Sequence, residues 1–86
     1  MFEIKVINIK RVEGFNSLRG FADIVLNSEL TLKGFRILQD ANGLWVGFPQ
    51  TKYEAGGKTR YAPIIEAPEQ LKKQTQQVIL EAFNEQ

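Results

Sequence analysis

The stretch Phe21–Pro49, "FADIVLNSELTLKGFRILQDANGLWVGFP", decides the fold. In its first seven residues, Ala22, Ile24 and Leu26 fall on one face of an extended chain, and Phe21, Asp23 and Val25 on the other. A period of two is the mark of a β-strand. Asn27-Ser28 reverses the chain tightly into "ELTLKGFRIL". Strands joined this closely pair as an antiparallel hairpin. Asp40-Ala41-Asn42-Gly43 is a second turn, because Asn-Gly tolerates positive φ. It feeds "LWVGFP", where Leu44, Val46 and Phe48 share one face and Trp45 takes the other. Pro49 lacks a ladder donor, so it ends that strand or sets it at an edge.

Outward from this block the pattern continues in both directions. Phe2, Ile4 and Val6 alternate with Glu3 and Lys5 as a first strand. Ile7 and Ile9 then take the opposite phase, which calls for a bulge or for burial of both faces. "VEGFNSLRG", residues 12–20, reads as a loop. After Pro49, "QTKYEAGGKT" reads as a flexible loop and "RYAPII" as a candidate short fifth strand. The last segment changes character. Leu71, Thr75, Val78, Ile79, Ala82 and Phe83 fall on one face of a helix. Pro68 suits its first turn and Glu69 the positive end of its dipole. Strands first and a helix last predict one α+β domain over residues 1–86. It is an antiparallel β-meander of four to five strands with one C-terminal helix.

Composition removes several kinds of chemistry. The chain has 86 residues, no cysteine and no histidine. Disulfides are impossible, and a structural zinc site lacks its usual ligands. The commonest general base is missing, and no Ser-His or Cys-His nucleophile can form. The ten Asp and Glu residues make no convincing acid/base pair or metal motif, and Asp40 is accounted for by the turn it begins. "EAGGKT" lacks the spacing of a phosphate-binding loop. The expectation is therefore a non-enzyme without cofactor, metal or small-molecule substrate. The N-terminus has no signal-peptide pattern and no apolar run approaches a membrane span, so a cytoplasmic, membrane-free protein is expected.

Charge points to an anionic partner. Residues 1–63 carry nine Lys/Arg against six Asp/Glu, and residues 64–86 carry two against four. The leading site is the loop with Lys52, Lys58 and Arg60, whose side chains could neutralise nucleic-acid phosphates. Tyr53 and Tyr61 interleave with them, and an aromatic ring beside cations can stack on an unpaired base. The competing reading is a solvated loop whose lysines serve solubility. A second basic set is Lys10, Arg11 and Arg19. Lys33 and Arg36 have opposite phases and share a face only if a bulge intervenes. Trp45, with Val25, Phe35 and Ile37 nearby, would form an apolar patch on the face away from the helix. Such a patch usually marks an interface, and a homodimer is expected because small chains gain burial that way.

The order of these segments resembles the central block of the SpoVG family, the stage V sporulation protein G or septation protein group. In that family a "FASITL"-like strand is followed by a second strand, an acidic-glycine turn and a "G-L-F-V-x-M-P-S" strand. A basic loop and an "A-x-P-I" stretch then lead to a C-terminal helix. The matching positions here are Phe21–Leu26, Leu30–Leu38, Gly43–Pro49, Lys52, Ala62–Ile64 and the helix ending "VILEAF". The resemblance implies a small cytoplasmic regulator that binds DNA, in some members RNA, and affects septation, sporulation and virulence-type gene expression. It also implies a dimer built by sheet association. Lys52 matches a basic residue after the proline, and Arg60 the basic residue before "A-x-P-I". Gln50-Thr51 stands where members often carry Ser followed by Lys or Arg, and Phe48 replaces a methionine.

The expected function is nucleic-acid binding, to DNA and secondarily RNA, by a homodimeric regulator linked to septation. The expected site is Lys52, Lys58, Arg60, Tyr53, Lys10 and Arg11. The alternative is a protein-interaction adaptor in cell division that meets its partner through Trp45 and its neighbours.

Overall fold

The two-residue alternation and the turn residues build a four-stranded antiparallel sheet. The computed structural model describes residues 2–14 and 16–85. Strands β1 (Ile4–Arg11), β2 (Leu18–Leu26), β3 (Leu30–Asp40) and β4 (Gly43–Gly47) pair in sequence order, each antiparallel to the next. The expected loop at 12–20 is shorter, because Leu18–Gly20 already belong to β2; Phe15 lies outside the described residues. Asn27 and Ser28 take left-handed φ of 53° and 59° at the β2–β3 turn. The Asn27 side-chain oxygen accepts the Glu3 N–H at 2.8 Å, which ties this turn to the start of β1. At the β3–β4 turn the Asp40 carboxylate accepts the Asn42 N–H at 2.8 Å, and Gly43 supplies the positive φ.

Three register shifts set which side chains face which way. Ile7 is the extra residue in β1, so Val6 and Ile9 both reach the same face. Of the two readings left open for this strand, the bulge is the one found. Arg19 is the extra residue in β2, and the third shift falls in β3 between Leu32 and Phe35. Gly34 lies in that third bulge with φ 90°, a value that favours glycine. Its N–H, displaced from the ladder, donates to the Asp23 carboxylate at 3.2 Å. The other oxygen of Asp23 accepts from the Asn8 side chain at 3.4 Å. One carboxylate thereby joins the β1 bulge to the β3 bulge across β2.

Helix α1 (Glu69–Asn84) covers one face of this sheet. Its buried residues Thr75, Ile79 and Phe83 recur every four positions, as the sequence pattern requires. Ile79 and Phe83 join Ala22, Ile24, Phe35, Ile37 and Val46 in a single apolar cluster. Phe35 and Phe48 meet edge to face, with centroids 5.0 Å apart and planes at 75°. Each fully buried Ile or Phe side chain contributes about 1.5–3 kcal/mol by leaving water. Thr75 satisfies its hydroxyl by donating to the Leu71 carbonyl one turn back, at 2.8 Å.

The segment expected as a flexible loop is instead a second, two-stranded sheet. Strands β5 (Gln50–Ala55) and β6 (Lys58–Pro63) pair in register from Gln50–Pro63 to Ala55–Lys58. Gly56 and Gly57, both at positive φ, form the two-residue turn between them. Such a turn matches the twist of a hairpin. The glycines close a ribbon; they do not loosen an arm. The fold is therefore α+β, with antiparallel sheets of four and two strands and one C-terminal helix.

Gly20 is a packing constraint in this arrangement. A Cβ there would stand 2.6 Å from the Lys10 carbonyl oxygen and 3.2 Å from the Phe83 ring. Gly20→Ala should cost about 1–3 kcal/mol in urea unfolding, whereas Gly14→Ala, with nothing closer than 3.7 Å, should leave the midpoint nearly unchanged.

Candidate nucleic-acid interface

Antiparallel pairing sorts the hairpin's side chains onto two faces, since directly opposed residues point the same way. Tyr53 is opposite Arg60, and Ala55 is opposite Lys58. Thr51, Tyr53, Ala55, Lys58, Arg60 and Ala62 therefore share one face. It holds two cations, one aromatic ring and no carboxylate. Lys52 is opposite Tyr61 and Glu54 is opposite Thr59, so these four take the other face with Gln50 and Pro63. All but Ala62 of the twelve strand residues are exposed. The ribbon is held at its base, where the Ile64 N–H donates to the Pro49 carbonyl at 3.1 Å.

The face with Lys52 and Tyr61 looks back at the main sheet. Together with Phe21, Gly34 and Arg36 it borders a trough of about 390 Å³, with Pro49 and Ile64 at its end. Phe21 and Arg36 are opposed on β2 and β3, on the sheet face away from the helix. The Arg36 guanidinium lies over Gly47, where a Cβ would stand 2.8 Å from Nη2. Arg36 is half-buried, yet its guanidinium has no hydrogen-bond or ion-pair partner among the described residues. Lys10 flanks Phe21 on the next strand, directly opposite it in register.

The expected site residues thus separate into groups. Tyr53, Lys58 and Arg60 stand together on the outer face of the hairpin. Lys52 stands behind them on the inner face, near Tyr61. Lys10 is exposed on the main sheet beside Phe21. Arg11 serves the fold: its guanidinium stacks 4.0 Å from the centre of the Phe83 ring and donates to the Phe83 carbonyl at 2.6 Å. It neutralises the negative end of the helix, where cations are favoured. Arg19 is likewise engaged, donating to Gln39, Asn16 and Leu18. Arg36 and Phe21 complete the trough and were absent from the expected site. The signal that could have found Arg36 is Gly34, because a glycine inside a strand often marks a bulge.

The expected apolar patch also divides. Trp45 is 41% exposed on the face away from the helix, opposite Leu38. Val25 is half-buried on that same face, two strands away. Phe35 and Ile37 do not join them: both are 0% exposed, under the helix. The bulge at Gly34 and the phase of β3 turn them inward, so neither is available to a second subunit.

With this geometry in place, the comparison with known proteins decides the family. The SpoVG family profile matches residues 2–85. The chain belongs to the SpoVG family. One relative, from Archaeoglobus fulgidus, is named as a candidate septation protein SpoVG. It is 29% identical over 56 residues, which cover 65% of this chain and 66% of that protein. A relative of the same name from Treponema denticola is 27% identical over 81 residues, covering 94% of this chain and 85% of that protein. The family resemblance of the Phe21–Pro49 block therefore extends to the hairpin and the helix. Among the described residues of this SpoVG chain, no helix is long and apolar enough to cross a membrane.

Because Arg11 holds the helix end, Arg11→Gln should lower stability by about 1–2 kcal/mol in denaturant unfolding. It should leave nucleic-acid affinity within about twofold of the unaltered protein, once folding is accounted for. A large affinity loss with unchanged stability would show that Arg11 contacts nucleic acid as well as the helix end.

Proposed function

We propose that this SpoVG chain is a nucleic-acid-binding regulator and that the outer face of the hairpin meets the phosphate backbone. The observation that carries this reading is the pairing of Tyr53 with Arg60, beside Lys58, on a projecting face without a carboxylate. Cations held on a ribbon that touches little of the sheet serve the fold poorly and a polyanion well. Each phosphate neutralised releases condensed counterions, so affinity falls as salt rises. Contacts of this kind position a nucleic acid without naming a sequence.

Two copies acting together complete the proposal. One hairpin offers few cations, and pairing doubles them without new contacts per subunit. Trp45 on the edge strand β4 is the side chain that supports such pairing, since a large exposed aromatic ring there has apolar area to bury. The septation role stands in the names of the two relatives, and we carry it to this chain as part of the same reading.

An electrophoretic shift titration at several salt concentrations tests the binding. The unaltered protein should shift DNA or RNA at low salt. Lys58→Ala with Arg60→Ala should weaken binding and lower the log–log salt slope by about 2 per subunit. Absence of any shift at low salt would favour the protein-interaction adaptor instead. Sedimentation equilibrium tests the pairing: the unaltered chain should run at twice its 9.8 kDa mass, and Trp45→Arg should run as a monomer.

A further inference from the structure

We infer that the trough between the hairpin's inner face and the main sheet is a slot for unpaired bases, so the SpoVG chain prefers single-stranded to duplex nucleic acid. This rests on the nucleic-acid reading above and names its substrate class.

Three features of the trough lead there. Its two sides each present an aromatic ring, Phe21 from β2 and Tyr61 from β6, which are 38% and 60% exposed. Bases stack on such rings whatever their identity, because every base has a π-face. Each side also presents a cation, Arg36 and Lys52. The Arg36 guanidinium is half-buried and without a partner among the described residues, so its donors remain available to a phosphate or a base edge. Gly34 leaves the wall between these groups bare, with nothing within 4 Å of the position its Cβ would take. The acidic groups on these surfaces do not compete. Asp23 is engaged by Asn8 and Gly34, and Glu54 lies farther out on the ribbon than Lys52, opposite Thr59.

The distribution of cations over the ribbon gives a second, independent argument. Lys58 and Arg60 lie on one face and Lys52 on the other. A single strand can pass round the ribbon's edge, with phosphates on the outer cations and bases in the trough. A single strand on that path uses the cations of both faces.

The test compares one mixed-sequence 20-nucleotide strand with its duplex, by fluorescence anisotropy, over a range of salt. The unaltered protein should bind the single strand about tenfold more tightly. Phe21→Ser with Tyr61→Ser should remove about tenfold of single-strand affinity, with the salt slope kept and duplex affinity within about twofold. Tyr61→Ser alone, on a ribbon outside the core, should show a smaller loss of the same kind and guards against misfolding of the double variant. Arg36→Gln should weaken single-strand binding and lower its salt slope by about 1. If duplex binds as well as single strand, or the serine variants leave single-strand affinity unchanged, the slot is overturned while the hairpin reading stands. If the serine variants lose self-association and keep single-strand affinity, the trough belongs to a second copy, and the slot is again overturned. Failure of the unaltered protein to bind either probe removes the nucleic-acid reading itself.

Discussion

One helix can cover only one face of a four-stranded sheet, and the rest of this structure depends on that limit. Ile79 and Phe83 meet Ile24, Phe35 and Ile37, the apolar contact that holds the helix in place. The helix touches both outer strands, β1 and β4, and so spans the sheet. Burial of this kind is the dominant favourable term in folding, and a chain of 86 residues has little of it to spare. Arg11 and Gly20 are recruited to the same contact. One stacks on the Phe83 ring and satisfies its carbonyl; the other lets that ring approach the strand.

The second face of the sheet is what the helix leaves over, and the bulges decide what stands on it. Each inserted residue changes the phase of everything beyond it. The bulge at Gly34 puts Phe35 and Ile37 under the helix and Arg36 on the open side. Asp23 holds that bulge and the one at Ile7 together through two hydrogen bonds. A carboxylate in the middle of a strand is thus explained by the irregularities on either side of it.

The hairpin shows the same dependence on pairing. In the SpoVG family profile it lies within the matched range, residues 2–85. Its charges read along the chain as one basic segment. Once β5 and β6 pair, Lys58 and Arg60 part company with Lys52, and each group faces a different surface. The proposed binding mode follows from that separation: phosphates on the outside, bases within the trough. A flexible loop with the same residues would impose no such division.

Much of this was legible in the sequence, and the limits are physical. The alternation at Ala22–Leu26, the turns at Asn27-Ser28 and Asp40–Gly43, and the helical stripe ending at Phe83 are local patterns. Local patterns follow from period and turn chemistry, so they determined the α+β class, the strand order of the main sheet and the covering helix. The family likeness rests on the same local blocks. The strand expected in "RYAPII" is found as part of β6, but the pairing of residues 50–59 was not legible, because a paired ribbon and a solvated loop share one composition, and only Gly56-Gly57 hinted at the turn. The role of Arg11 was hidden for a similar reason: its partner Phe83 is 72 residues away. Which cations face outward, which contact the helix end, and which aromatic rings border the trough were decided by tertiary structure alone. A side chain's neighbours across strands depend on register and bulges, and those are set by the whole packed sheet and not by any segment of it.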